Sequence, residues 1–292
     1  MTQLLTLNPG LELLSSGTLE HNHFTFGWIT PAMGFSFALA GSYLGLKSMA
    51  NARGAISLAA RLRWIALAAL AIGGVGIWMM HFIAMIGFTV PGEALAYDVP
   101  LTALSFLLGV GAVALGLFLT GTGRPSIFKL MLAGPVTGAG VLGMHYMGMA
   151  AISSTGNLTY NSVLVGASVA IALVAATAAL AFATWVDAKG AMAIAALVMA
   201  VAVCGMHFTG MAAITVTGPP QHAVEGMDPL VLMIPILVLA TISIVSMIFG
   251  VLTVATGTEP SNDDHGPIAD ESPSEINYNE QATKSSLFAS TQ

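Results

Sequence analysis

Seven long apolar stretches dominate this chain, at residues 26–49, 64–88, 99–120, 127–152, 160–185, 191–215 and 230–254. An α-helix rises 1.5 Å per residue, so about 20 such residues cross the roughly 30 Å of hydrocarbon in a bilayer. Inside hydrocarbon every backbone N–H and C=O must find its partner within the protein, which helices do along their own length. The fold expected is therefore all-α: a polytopic membrane protein, a seven-transmembrane-helix bundle. Charged residues make up 8% of the chain, against about 25% in an ordinary soluble domain.

Glycines at Gly73, Gly74, Gly138, Gly140 and Gly143 would weaken a soluble helix but suit membrane helices that pack closely. Gly134 and Gly138 form a GxxxG step. Pro31, Pro135 and Pro235 fall inside spans, where kinks are expected.

The cations set the orientation. Lys47, Arg53, Arg61 and Arg63 flank the first loop, Arg124 and Lys129 the third, Lys189 the fifth, and Lys284 lies in the tail. All fall on one side of the bundle, which the positive-inside rule assigns to the cytoplasm. Residues 1–25 then form an external N-terminal segment, residues 26–254 the membrane domain, and residues 255–292 a cytoplasmic tail. A bacterial-type inner (plasma) membrane is the expected location. Trp28, Trp64 and Trp185 lie near span ends, as an aromatic belt would place them. No basic n-region precedes the leucines of the first segment, so a cleaved signal peptide is not expected. The tail is rich in Asp, Glu, Ser, Asn and Pro, a composition of disorder. A solvated tail is the expected reading, with a docking segment for a cytoplasmic partner as its alternative. The net charge of −6 comes largely from that tail and implies no nucleic-acid partner.

The informative feature is an internal repeat. WMMHFIAMIGF begins at Trp78, GMHYMGMAAI at Gly143 and GMHFTGMAAI at Gly205. All share Met, His, an aromatic residue, any residue, a small residue and Met. The histidines His81, His145 and His207 are 64 and then 62 residues apart, so the repeating unit is a helix pair. Each motif falls on an even-numbered span, all three run the same way, and the histidines form a layer near the external face.

Within a copy, the histidine and the second methionine are i and i+4, on one helix face. His81 thus stacks with Met85, His145 with Met149 and His207 with Met211, with Met80, Met144 and Met206 at the edge of the same broad face. A methionine at helical spacing is most often core filler, and a lone buried histidine is usually just hydrogen-bonded. Three copies at one depth instead follow the pattern of a functional site, because ionisable groups inside a membrane are costly. Imidazoles with thioethers suit copper, and thioethers favour Cu(I). Magnesium and calcium would want oxygen ligands, and zinc would more usually recruit cysteine or carboxylate. Cys204 precedes His207 by one turn and is read as a small hydrophobe. Tyr146, Phe82 and Phe208 are read as packing.

These motifs resemble those of the MHYT domain, a membrane-embedded sensor named for Met-His-Tyr-Thr and carrying three such motifs near its outer face. The resemblance covers about residues 26–254, although the copies here read MHFI, MHYM and MHFT. It implies a copper site and a role in sensing oxygen, carbon monoxide or nitric oxide. Members of that family are often fused to cytoplasmic diguanylate cyclase, phosphodiesterase or kinase domains. No such domain is recognised in this sequence, so it reads as a stand-alone member whose signal passes to a separate cytoplasmic partner.

Other classes use the same residues differently. Copper handling or delivery would employ the same ligands, but a permeation path should add a layer of ligands in the cytoplasmic half, and Met33, Met192, Met199 and Met247 are scattered rather than layered. A haem protein needs axial pairs, and no matching inner layer exists. A retinal protein is excluded, since the last span has no lysine for a Schiff base. An enzyme is not expected, because the spans hold no paired carboxylates. Glu93, Asp98, Glu225 and Asp228 lie in or beside external loops, where they can draw cations toward the site. His21, His23 and His222 are read as solvated loop residues.

Overall fold

The computed structural model describes residues 18–19, 25–89, 95–153, 157–217 and 226–255. Seven helices are long and apolar enough to cross a membrane: α1 (Ile29–Gly54), α2 (Leu58–Met85), α3 (Val99–Gly121), α4 (Ile127–Ala150), α5 (Ser162–Trp185), α6 (Lys189–Ala212) and α7 (Pro229–Ala255). The acidic tail beyond Ala255, the N-terminal segment before Thr18, and His21, His23, His222, Glu93 and Glu225 lie outside the described residues.

Each of the first six helices packs against the next, and α6 returns to α1, so these six close a ring. Helix α7 stands outside it. It buries Leu232, Ile236 and Ala240, one residue per turn, in the cluster that holds Phe82 and Tyr97. Lipid tails are as apolar as leucine, so the ring is held by close packing of small residues rather than by hydrophobic burial. Gly134 and Gly138 of the GxxxG step both face α5: a Cβ on them would lie 2.2 Å from Thr177 Oγ1 and 2.9 Å from the Ala172 carbonyl.

One segment departs from regular α-helix. Residues Leu70–Met79 of α2 form a π-helix, the wider winding that occurs mostly as short insertions and often at functional sites. Gly73, Gly74 and Gly76 leave this stretch thin, and α1 touches it backbone to backbone. A Cβ on Gly41 would lie 2.4 Å from both the Ala71 carbonyl and the Gly76 nitrogen.

The loops at the motif-bearing end add strands that helix periodicity does not announce. These are β1 (Thr18–Leu19), β2 (Ala96–Tyr97), β3 (Ile152–Ser153), β4 (Asn157–Tyr160) and β5 (Ile214–Thr217). They pair antiparallel, β2 with β3, and β5 with both β1 and β4. Ile152, Tyr160 and Thr215, taken from hydropathy as span ends, are strand residues. β-branched and aromatic side chains satisfy an apolar count while favouring extended backbone.

Each of the first three helix pairs also closes its motif-bearing end with one backbone hydrogen bond. The N–H groups of Thr25, Asp98 and Asn161 donate to the carbonyls of Gly87, Ala151 and Ala213, at 3.1, 2.8 and 2.8 Å. Those acceptors stand at one offset, six residues past His81, His145 and His207. The side chains of Asp98 and Asn161 then cap α3 and α5, accepting from Leu101 N at 2.7 Å and Val163 N at 3.0 Å. Asp228 caps α7 likewise, accepting from Leu230 N at 2.8 Å. An Asp98→Ala variant is expected to lose about 1 kcal/mol of stability, read as a lowered thermal midpoint in detergent, with Asp98→Asn close to wild type.

At the opposite, cation-bearing end, the Arg53 guanidinium donates to the carbonyls of Ala183 and Val186 and pairs with Asp187. It thereby ties α1 to the C-terminus of α5, where a cation suits the exposed carbonyls. Pro31 falls in the first turn of α1, where no N–H is needed, so no kink is required there. Pro135 and Pro235 lie within α4 and α7.

Candidate metal centre

Helices α2, α4 and α6 run the same way, and their ends are pinned by the strands and backbone bonds just described. Their histidines consequently meet at one level inside the ring. His81, His145 and His207 are buried, at 1%, 0% and 0% exposure. Ring centroids are 4.9 Å apart for His81 and His145, 5.1 Å for His81 and His207, and 5.2 Å for His145 and His207. Each ring stands edge-on to the other two, at 78°, 84° and 85°.

The edges that meet are the Nδ1 edges. His81 Nδ1 is 3.1 Å from Nδ1 of His207 and 3.1 Å from Nδ1 of His145. Three imidazole lone pairs aimed at one point repel unless a proton or a cation sits among them. Two nitrogens bound at about 2.0–2.1 Å to one ion, at a tetrahedral angle, lie about 3.3 Å apart, so the observed spacing fits a shared ion. Among the described residues this is the group of histidine, cysteine and carboxylate side chains whose ligand atoms gather, all within 4.8 Å. The convergence also leaves no gap for a haem macrocycle between the rings.

The outer nitrogens are handled unusually. Nε2 of His81 and of His145 is buried with no hydrogen-bond partner among the described residues, whereas metal-bound histidines generally donate there to a carboxylate or carbonyl. Each faces the backbone of the next motif helix instead. A Cβ on Gly148 would lie 2.4 Å from His81 Nε2, and one on Gly210 would lie 2.4 Å from His145 Nε2. These glycines hold the rings in place by leaving them room. Sequence reasoning passed over them, although a small residue three positions after each histidine (Ala84, Gly148 and Gly210) belongs to the repeat.

All six motif methionines are buried. Met85, Met149 and Met211, the i+4 set, share one cluster together with Met144. Met80 packs with Ala38 and Ala200, and Met206 belongs to the larger cluster at mid-bundle. A Cβ on Gly34 would meet Met80 Cγ at 3.4 Å, and one on Gly109 would meet Met144 Cγ at 3.0 Å. The first methionines of copies one and two thus fill seams toward α1 and α3. Cys204 packs beside Met80 and Ala38, apart from the imidazoles.

Neighbouring polar groups are neutral and internally paired. Trp78 Nε1 donates to Ser105 Oγ at 3.0 Å, and the Tyr146 hydroxyl bonds Ser168 Oγ at 2.8 Å. Tyr97, in β2, packs against Phe82 with ring centroids 5.9 Å apart. Burial pushes its phenol up, so it stays neutral. The centre is therefore three imidazoles with no carboxylate among the gathered side chains.

The MHYT family model, a bacterial signalling protein N-terminal repeat, matches twice, at residues 74–133 and 138–199. The cyclic di-GMP phosphodiesterase NbdA of Pseudomonas aeruginosa is 36% identical over 200 residues, which cover 66% of this chain and 25% of that protein. The bifunctional diguanylate cyclase/cyclic di-GMP phosphodiesterase MucR of the same organism is 36% identical over 201 residues, 65% of this chain and 28% of the relative. An uncharacterized signaling protein of Caulobacter vibrioides is 34% identical over 216 residues, 72% and 25% of the two chains. This chain thus spans about a quarter of the length of the curated relatives it matches. No solved structure matches it.

Proposed function

The chain belongs to the MHYT family of membrane-integral signalling proteins, and we propose that its three histidines hold one copper ion, as Cu(I), through which it senses a diatomic gas such as O2, CO or NO. The observation that carries this reading is the convergence of His81, His145 and His207 on their Nδ1 atoms at 3.1 Å. Charge favours the monovalent ion. The cost of burying an ion in a low-dielectric interior rises with the square of its charge, and the ligand set supplies no negative charge to offset it. Met85, Met149 and Met211, each one turn from its histidine, are the thioethers proposed to complete the site. Met80 and Met144 are proposed to support it from the helix seams, and Met206 from the mid-bundle cluster. Copper(I) supplies a soft centre able to bind a small gas molecule.

The rest of the role follows from placement. With the cation-bearing loops in the cytoplasm, the histidine layer lies near the outer face of the membrane, the N-terminus outside and the C-terminus inside. A gas that binds two packings of α2, α4 and α6 unequally shifts the balance between them. The cytoplasmic ends then carry the change to a signalling partner, and the domain itself has no enzymatic role. The names of the curated relatives point to cyclic di-GMP turnover as the output.

Metal analysis of the full chain in mild detergent tests the copper site, comparing wild type with the triple change of His81, His145 and His207 to alanine. Wild type should retain about one copper per chain and show no haem absorption band. The triple variant, still helical by circular dichroism, should retain none. A natively folded wild type that takes up no copper on reconstitution overturns the reading.

A further inference from the structure

One helical turn below the histidines lies a partly open apolar space, with Met206 in its wall, to which the copper reading assigns no role. Ile77, Val141 and Val203 line it, and each stands four residues before a motif histidine, so the three repeats contribute the same position. The opposite wall is a strip of alanines on α5, including Ala175, Ala176 and Ala179. The space has a volume of about 50 Å³, and Ser42 supplies the only hydroxyl among its lining residues.

Size and polarity together restrict what can sit there. One water needs roughly 10–15 Å³, so room is not the limit, but it also needs two to four polar partners. Apolar cavities remain dry, and one of about 150 Å³ takes benzene or xenon. The space beneath the triad is smaller than that and offers one hydroxyl. It suits a neutral molecule of two heavy atoms, held by contact alone.

We propose that this cavity is a docking pocket for a single neutral diatomic molecule, held about 6 Å below the imidazole layer, one turn at 1.5 Å per residue. The proposal rests on the gas-sensing reading for its purpose, while the binding itself depends on the cavity alone. Gas dissolves more readily in hydrocarbon than in water, so it enters from the bilayer side and waits within reach of the centre. Leu or Val at Ala176 fills the pocket from α5 while every motif residue, including Met206 in the pocket wall, keeps its identity.

Xenon is the probe, because it needs neither copper nor a hydrogen bond. A 129Xe NMR titration of the full chain in detergent, against empty micelles, should show saturable binding to wild type. Ala176→Leu should weaken that binding by about tenfold or more, with the smaller Ala176→Val between them, since each added methyl removes contact space. The valine variant keeps the comparison usable if leucine prevents folding. Absence of saturable binding to natively folded wild type, or equal binding by both folded variants, overturns the proposal. Xenon binding by a chain that takes up no copper sustains the pocket while the copper reading falls. Copper retention without xenon binding does the reverse.

Discussion

Replacing both Gly148 and Gly210 with alanine is expected to abolish tight metal binding while all three histidines remain in the chain. A Cβ at either position would come within 2.4 Å of an imidazole Nε2. Real Cβ atoms essentially never approach a heavy atom below 3.0 Å, so the ring must move. The His81 and His145 rings cannot retreat freely, because their Nδ1 edges already meet at 3.1 Å. Displacing two of three ligands should weaken affinity by at least the roughly 10- to 100-fold lost on disturbing outer-shell partners of metal-bound histidines. Competition with a Cu(I) chelator measures this, with circular dichroism showing that the helices persist. Each single substitution should give a partial loss. A double variant that holds copper as tightly as wild type would mean that the rings reach the ion from another arrangement.

The second large effect concerns folding. Gly41→Ala places a methyl group 2.4 Å from the Ala71 carbonyl oxygen and from the Gly76 nitrogen, and 2.7 Å from Gly76 Cα. All three are backbone atoms, so no rotamer change relieves the clash and the two helices must separate. The expected cost is at the upper end of overpacking, about 3 kcal/mol or more. In a membrane that loss is not recovered by burying the parted faces, since lipid covers them equally well. Gly111, with nothing within 4 Å of its added Cβ, is the control: Gly111→Ala should be neutral or stabilising by up to about 1 kcal/mol. Thermal unfolding in detergent separates the two, and a Gly41→Ala midpoint equal to wild type would show that α1 and α2 do not depend on this contact.

Several parts of this structure were legible in one dimension. Hydropathy over windows of about 20 residues finds every span, because hydrocarbon thickness dictates their length. The spacing of His81, His145 and His207 predicts a shared level, because repeated helix pairs return each motif to the same end. What escapes such reading depends on neighbours in space. The π-helical turn at Leu70–Met79 has the composition of any glycine-rich span. Which imidazole edge faces inward follows from the tilt of three helices together. Met80 and Met144 sit one position before their histidines, about 100° around the axis, and that offset turns them into the seams against α1 and α3. Gly148 and Gly210 read as helix weakeners until the neighbouring ring is seen against them.

The backbone hydrogen bonds from Thr25, Asp98 and Asn161 close each helix pair at the histidine end, and the short loop between its two helices closes the other, so each pair moves as one arm. The β2–β3 and β4–β5 pairings brace the second and third of these closures and β1 pairs with β5, which makes the histidine level the fulcrum of the arms. A helix of 24 residues is about 36 Å long, and tilting such an arm by about 3° moves its far tip by about 2 Å. A displacement of that order is typical of helix shifts that carry allosteric signals. A sub-ångström rearrangement among three imidazoles would thus be magnified by leverage, and Arg53, clasping α1 to α5 at the far tips, is the latch such a movement would strain first.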